Sequence, residues 1–233
     1  DSPDRLQPRA LVVGQGSRAL LVSPAAEFRT VAVRLRPSAL GRVLHDDASQ
    51  LTDGWGSLEE VFGQDGRTLA AQVEDAVTDA ERFATLAAFL RRRLERARPD
   101  LPADVAVEAL RRARGRITVR ALREATGASE RTLERAFLRE VGLSPRRLAA
   151  VLRVQAALLL RDAEPSWAQL AAELAYVDQP HLSREFRRVA GLPPRALLEA
   201  LGPLAGAFVD PRRLRELLGV GSVQDGAPGL QTG

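Results

Sequence analysis

Residues 133–148 read LERAFLREVGLSPRRL, and residues 182–197 read LSREFRRVAGLPPRAL. The two segments align without a gap at a constant offset. They share nine of sixteen residues, Leu133/Leu182, Arg135/Arg184, Phe137/Phe186, Arg139/Arg188, Gly142/Gly191, Leu143/Leu192, Pro145/Pro194, Arg146/Arg195 and Leu148/Leu197. Identity at this density, which includes Phe, Gly and Pro, indicates an internal duplication. The chain therefore uses one structural unit twice.

Spacing within the repeated segment predicts a helix that is apolar on one face and basic on another. Leu133 and Phe137 are four residues apart and share a face, while Arg135 and Arg139 project from a different face. Gly142 is expected to end the helix, because a residue that tolerates positive φ does so at little cost. One face should lie in a core, and the other should offer guanidinium groups.

A shorter helical run and a turn precede each copy. In the first copy, a turn at 126–128 leads to Ser129, which is the expected N-cap of the following helix. In the second copy, a turn at 175–177 leads to Asp178 in the same role. A helix, a turn and a capped basic helix are typical of the helix-turn-helix, whose second helix enters the major groove of DNA. A helix predicted from Pro145 to Arg161 joins the units and should present the two recognition helices to successive grooves, about 34 Å apart.

Residues 108–200 resemble the DNA-binding domain of AraC/XylS-type transcription regulators. The resemblance rests on Leu133, Arg135, Phe137, Gly142, Pro145, Asp178, Gln179, Arg184, Phe186, Gly191 and Pro194. The chain departs from the family pattern at Arg123, Ala175, Pro180 and His181, where a small residue, a glycine and other polar residues are commoner. The resemblance implies a bacterial, sequence-specific regulator whose partners are double-stranded DNA and RNA polymerase.

Carried over by position, the resemblance implies a set of DNA-facing residues on the two recognition helices. These are Ser129, Arg131, Thr132, Glu134 and Arg135 in the first unit, and Gln179, His181, Ser183, Arg184, Arg187 and Arg188 in the second. Arg can bind guanine and Gln can bind adenine through paired hydrogen bonds. Arg187 and Arg188 are expected at phosphates. Glu134 either accepts from cytosine or pairs with Arg131, and His181 either contacts DNA or is ordinary helix surface.

The first hundred residues predict an α+β module. Strands are expected at 11–13, 19–22 and 31–35, short helices at 38–44 and 58–62 around a glycine-containing loop, and longer helices at 69–77 and 83–94. Residues 28–94 loosely resemble the amino-terminal domains of many actinobacterial regulators, which are partial β-barrels that bind effectors or dimerise. The expected fold class is therefore α+β, with a partial β-barrel and helices followed by an all-α domain of two helix-turn-helix units joined by a long helix.

Four segments follow from this interpretation. They are an amino-terminal sensor or dimerisation domain (1–100), a linker (101–107) marked by Pro99 and Pro102, a DNA-binding domain (108–200) and a partly disordered tail (201–233) with a short helix at 211–218. A small-molecule effector and homodimerisation are expected functions of the first domain. The sequence contains no Met, so we interpret it as a fragment or processed form whose barrel is incomplete.

Charge is distributed unevenly along the chain. Residues 108–200 hold 17 Arg against 11 acidic residues, whereas residues 1–107 hold 14 Arg against 16 acidic residues. A basic domain beside a mildly acidic one fits a polyanion-binding module, although a GC-rich genome also favours arginine. We find no apolar stretch of the roughly 20 residues that a transmembrane helix needs and no signal peptide, so a cytoplasmic location is expected.

Composition argues against several enzyme classes. With no Cys, the sequence excludes disulfides, thiolate metal sites and the methyl-accepting cysteine of related DNA-repair proteins. With two His in the chain, His45 cannot form the metal site of a catalytic cupin. No catalytic residues, cofactor or metal are therefore expected. The alternative function is a helix-turn-helix module that binds protein and has no specific DNA target.

Overall fold

The computed structural model describes residues 7–19, 30–97, 100–160 and 166–201, which are predominantly helical. The first elements are strand β1 (Leu11–Val13), a 3₁₀ turn (Pro37–Ala39), α1 (Leu40–Leu44), a second 3₁₀ turn (Ala48–Leu51), β2 (Trp55–Ser57), α2 (Leu58–Phe62), α3 (Gln64–Asp75) and α4 (Asp79–Glu95). They are followed by α5 (Leu101–Arg112), α6 (Val119–Thr126), α7 (Glu130–Val141), α8 (Pro145–Leu160), α9 (Trp167–Glu173), α10 (Gln179–Ala190) and α11 (Pro194–Leu201). Among these helices, none combines the length and the apolar character needed to cross a membrane.

Residue contacts divide the chain into two compact units, Asp1–Arg153 and Val154–Gly233. The first unit contains the amino-terminal elements together with α5–α7, so the predicted boundary near residue 100 does not coincide with this division. The predicted linker at 101–107 is helical. Asp100 caps α5 by accepting a 3.1 Å hydrogen bond from the Ala103 amide, and Pro102 lies in the first turn, where its missing N–H costs nothing.

The partial β-barrel predicted for the first hundred residues is not supported. In the described residues, the sheet consists of β1 and β2, which pair antiparallel with Leu11 opposite Ser57. The strand at 11–13 was therefore predicted correctly, whereas residues 31–35 have no regular structure. β-rich residues stabilise a strand only where a neighbouring strand pairs with it, and 31–35 has no such neighbour in the described chain. The strand predicted at 19–22 lies largely outside the described residues.

The helices predicted in the amino-terminal part are confirmed, although α3 begins five residues and α4 four residues before the predicted starts at 69 and 83. Helices α2 and α4 both begin with a capping box, in which Ser57 pairs with Glu60 and Thr78 pairs with Glu81. Each box satisfies two backbone amides that a helix start would leave unpaired. The glycine-containing stretch predicted as loop includes β2, which forms by pairing with β1. A Cβ atom on Gly56 would lie 2.8 Å from the Val61 Cγ2 atom, so β2 approaches α2 closely at this residue.

A continuous apolar core supports α7 in the first unit. Its buried residues come from four helices and their connections, Ala106, Val107, Leu110, Leu122, Leu133, Phe137, Val141, Leu143, Leu148 and Ala149. Leu133 and Phe137 are 0% exposed, which confirms their prediction as core residues. Truncating a buried Phe to Ala typically costs about 3–5 kcal/mol, so this face is fixed firmly.

The second unit repeats this arrangement with different residues. Leu182 and Phe186 on α10 are 0% exposed, as predicted. The Trp167 ring of α9 lies edge-on to Phe186, with 5.9 Å between ring centroids and an interplanar angle of 76°. The same face of each repeated helix is therefore buried. The helix and disorder predicted in the tail lie outside the described residues.

Candidate nucleic-acid interface

The first helix-turn-helix is formed by α6 and α7. Helix α6 ends at Gly127, which has φ +67° and donates a 2.8 Å hydrogen bond to the Arg123 carbonyl. Ser129 then caps α7, because its hydroxyl accepts a 3.1 Å hydrogen bond from the Thr132 amide and lies 2.8 Å from the Thr132 hydroxyl. Gly142 ends α7 with φ +83°. The predictions that Ser129 is the N-cap of α7 and that Gly142 ends this helix are both confirmed.

The exposed face of α7 carries two guanidinium groups without a partner. Arg131 and Arg135 are exposed, and in the described part of the chain neither forms a hydrogen bond or an ion pair. Glu134 is half-buried and forms no ion pair with Arg131 in this structure. Both arginines are therefore available to an external acceptor.

One residue on this face was missed by the sequence analysis. Leu138 is 43% exposed and lies one turn beyond Glu134 and three residues beyond Arg135. The repeat could have identified Leu138, because it aligns with Arg187, which was predicted to contact a DNA phosphate. An exposed apolar side chain among arginines suits the methyl group of thymine in the major groove.

The second helix-turn-helix is formed by α9 and α10. Asp178 caps α10 by accepting a 2.6 Å hydrogen bond from the His181 amide, and Pro180 lies in the first turn, as predicted. Arg184 and Arg187 are exposed and have no partner in the described chain. Gln179 is exposed, and Ser183 is half-buried without a hydrogen bond from its side chain.

A buried network fixes the turn of the second unit. The Tyr176 hydroxyl donates a 2.8 Å hydrogen bond to one carboxylate oxygen of Glu185, and Arg188 donates to the other at 3.0 Å. The Tyr176 ring also lies edge-on to the His181 ring, with centroids 5.3 Å apart, and the His181 Nδ1 atom is 3.5 Å from the Val177 amide. Arg188 is consequently a poorer candidate for a phosphate contact than Arg187.

The first unit contains an equivalent of Arg188. Arg139, at the aligned position, donates a 2.8 Å hydrogen bond to Glu140 and also binds the Asp100 carboxylate. The hydrogen bond with Glu140 raises the pKa of the Arg139 guanidinium. Glu140 and Glu185 are 6% and 5% exposed, and a buried carboxylate is costly unless it is paired. The repeated arginines at 139 and 188 thus neutralise buried glutamates, whereas those at 135 and 184 have no partner among the residues that the structure describes.

Comparison with known families agrees with this geometry. Residues 122–200 match a family model described as a helix-turn-helix domain, which is the AraC type. Residues 122–200 are an AraC-type helix-turn-helix domain. The chain therefore carries a DNA-binding module of transcription regulators, and this family is a regulatory one rather than an enzyme family. Among curated proteins and among solved structures, no match to the chain is found. The resemblance of residues 28–94 to regulator amino-terminal domains stays a prediction.

The AraC-type domain of this chain forms one of its turns without glycine. Ala175 has φ +57° in the turn that follows α9, where the first unit uses Gly127. The Tyr176 amide donates a 2.9 Å hydrogen bond to the Ala171 carbonyl across this turn. A Cβ atom in the left-handed region costs about 1–2 kcal/mol, so the turn is held against its local preference by the buried Tyr176 that follows it.

The AraC-type domain and the other described residues offer no cluster of three or more His, Cys, Asp or Glu side chains that could hold a metal ion. His45, considered above as a metal ligand, instead ends α1 with φ 58°, and its Nε2 atom lies 2.8 Å from the Arg93 carbonyl.

Proposed function

We propose that the chain is a sequence-specific DNA-binding transcription regulator that inserts α7 and α10 into successive major grooves. One observation carries the proposal. Four arginines on capped helices have no partner in the described chain, and the opposite faces of these helices are buried: Arg131, Arg135, Arg184 and Arg187. Like charges repel when they are close on one helix, and Arg131 and Arg135 are four residues apart while Arg184 and Arg187 are three apart. Each helix is therefore stabilised when a polyanion neutralises these charges.

The proposed roles of the recognition residues follow from their hydrogen-bonding groups. Arg131, Arg135 and Arg184 would bind guanine edges, and Gln179 would bind adenine. Glu134, which does not pair with Arg131, would accept from cytosine. Ser129, Thr132, His181, Ser183 and Arg187 would contact phosphates or base edges within reach. Arg188, which pairs with Glu185, would be the weaker phosphate contact.

Fluorescence anisotropy across a salt series tests this function. Two duplexes are compared. The first is selected from random DNA for binding to the full chain, and the second has the same base composition in scrambled order. We expect tighter binding to the selected duplex, a steep loss of affinity with salt, and two half-motifs about 10–10.5 base pairs apart. Absent or salt-independent binding would contradict the proposal and support the protein-interaction module instead.

Substitutions separate base contacts from phosphate contacts. Arg184→Ala should weaken binding to the selected duplex by about 1–3 kcal/mol and relax discrimination at one base pair. Arg187→Ala should weaken binding equally on all sequences and reduce the salt slope by about 1. Arg91→Ala, at an exposed arginine of α4 outside both helix-turn-helix units, is the control and should change neither quantity. Uniform loss on all sequences for Arg184→Ala would restrict Arg184 to phosphate.

The proposal also includes control of DNA binding through the amino-terminal elements, by a small-molecule effector or by homodimerisation, and contact with RNA polymerase. Exposed apolar side chains support a protein contact on α4, where Phe83 is 42% and Leu94 is 37% exposed. Sedimentation equilibrium across protein concentration, with Phe83→Ser as the variant, tests dimerisation at this face. A monomer at all concentrations would remove homodimerisation from the proposal.

A further inference from the structure

Residues 37–52 pack directly against the carboxy-terminal half of α7, and we call this segment the brace. Its two 3₁₀ turns and α1 all contact α7. At Gly41 the two helices meet backbone to backbone. A Cβ atom there would lie 2.3 Å from the Arg139 carbonyl oxygen and 2.8 Å from the Glu140 Cα atom. Only glycine allows α1 to approach α7 this closely.

The brace also holds the residue at which α7 ends. A Cβ atom on Gly142 would lie 2.8 Å from the Ala48 carbonyl oxygen. The Thr52 hydroxyl donates a hydrogen bond to the Gly142 carbonyl, and Ala48 is 0% exposed. The last turn of α7 is therefore fixed from outside its own helix-turn-helix.

A third contact joins the brace to α5. The Ser38 hydroxyl donates a 2.6 Å hydrogen bond to Asp104, and Arg42 forms a 3.1 Å ion pair with the same carboxylate oxygen. Ser38 is buried and Arg42 is half-buried, so the contact is less screened by solvent than a surface pair. The brace thus spans both α5 and α7 and behaves as part of the first helix-turn-helix unit.

Helix α4 in turn holds the end of α1. Arg93 donates hydrogen bonds of 2.7 Å to the carbonyls of Val43 and Leu44, and its guanidinium carbon lies 5.0 Å from the centre of the Phe62 ring. These carbonyls belong to the last turn of α1, which has no helical partner for them. A continuous set of contacts therefore runs from α4 through α1 to α7.

We propose that the brace positions the first recognition helix, so that Gly41 and Thr52 determine how accurately Arg131 and Arg135 reach their bases. The inference rests on the proposed function. Arg131 lies about 16 Å along the helix from Gly142, at 1.5 Å per residue. A tilt of about 5° at the braced end would move Arg131 by about 1.4 Å, which exceeds the roughly 0.5 Å tolerance of a preorganised site. A displacement of Arg93 on α4 would reach α7 by the same contacts.

Two variants and a matched control test the proposal in the full chain. Thr52→Val removes the hydroxyl and preserves the shape, and Gly41→Ala inserts one methyl group between α1 and α7. Gly54→Ala is the control, because the nearest atoms to its Cβ position are 3.8 Å away. Arg135→Ala and Arg184→Ala, measured on the selected duplex, first identify which half-motif α7 reads and which α10 reads.

We expect Thr52→Val and Gly41→Ala to lower the discrimination between correct and wrong bases about tenfold at the half-motif of α7, because one bidentate contact contributes about this factor. Discrimination at the half-motif of α10 should not change. Hydrogen exchange without DNA should become faster for the amides of Glu130–Val141 and remain unchanged for Gln179–Ala190. The control should match the unmodified chain in both measurements.

Equal loss at both half-motifs, or unchanged discrimination and exchange in both variants, would overturn the proposal. If Gly41→Ala unfolds the first unit, the isosteric Thr52→Val decides alone. Absence of sequence-specific binding by the unmodified chain would instead refute the proposed function, and with it the claim about base reading. The exchange rates would still show whether the brace holds α7.

Discussion

Replacing Gly142 by Ala measures how closely the brace approaches the end of α7. Gly142 has φ +83°, and a Cβ atom on it would lie 2.8 Å from the Ala48 carbonyl and 2.9 Å from the Thr52 hydroxyl. Gly127 belongs to the same unit and has φ +67°, but no atom lies within 4 Å of its Cβ position. The two substitutions therefore share a conformational cost and differ only in the close approach.

The expected magnitudes can be worked from these distances. A Cβ atom in the left-handed region costs about 1–2 kcal/mol, and the lower entropy of the unfolded alanine chain offsets about 0.4–1 kcal/mol of it. Gly127→Ala should thus lower the free energy of unfolding by about 1 kcal/mol. Gly142→Ala adds a steric overlap and the loss of the Thr52 hydrogen bond, for a total of about 2–4 kcal/mol.

Urea unfolding measures the difference if a probe reports on the first unit alone. The chain contains two Trp, Trp55 in the first unit and Trp167 in the second. In a Trp167→Phe background, Trp55 fluorescence follows the first unit. Equal destabilisation by Gly142→Ala and Gly127→Ala would refute the close packing of the brace on α7. Gly191 is the repeat equivalent of Gly142, with φ +76° and no described atom within 4 Å of its Cβ position. Gly191→Ala should cost about 1 kcal/mol in the second unit, measured by Trp167 fluorescence in a Trp55→Phe background.

Two further substitutions test the turn of the second unit. Ala175→Gly removes the Cβ atom that is strained at φ +57° and should raise the free energy of unfolding of this unit by about 0.5–1 kcal/mol. Urea unfolding in a Trp55→Phe background measures the change. No gain in stability would contradict the left-handed conformation of Ala175. Tyr176→Phe removes the hydroxyl that donates to Glu185 and should cost about 1.5–3 kcal/mol, as expected for a hydrogen bond to a charged group. A double-mutant cycle with Glu185→Gln should show coupling between the two residues, and additive effects would argue against the hydrogen bond.

The repeated helices could be predicted in detail because their signals are local. Ser129 and Asp178 cap the helices that follow them, and the apolar spacing of Leu133 and Phe137 places both in the core. The strand predicted at 31–35 failed because a β-rich run requires a pairing partner, which its own sequence cannot supply. Local propensity is thus a good guide to a capped amphipathic helix and a poor one to an isolated strand.

The repeat could not predict which of the repeated arginines form ion pairs within the chain. Arg135 and Arg139 recur equally well in the second copy, yet the first is unpaired and the second binds Asp100 and Glu140. Asp100 lies far away in the sequence, and only the fold brings it to α7. The role of Gly41 depends in the same way on the approach of two helices, because its sequence neighbourhood gives no sign of α7.

Comparison of the two copies suggests how the DNA sites themselves should differ. The duplicated identities fall mainly on residues that build the unit, such as Phe137 and its counterpart Phe186, both 0% exposed. At the exposed positions the copies diverge, because Arg131, Thr132, Glu134 and Leu138 align with Pro180, His181, Ser183 and Arg187. Three exposed arginines recur, at 135/184, 139/188 and 146/195, and of these pairs only Arg135 and Arg184 both lack a partner among the described residues. Duplication has therefore kept the scaffold and one arginine without a partner in the described chain, whereas most other residues on the exposed face of each helix differ. It follows that the two half-motifs should share one guanine and otherwise differ, because a helix that offers a different set of donors and acceptors reads a different sequence.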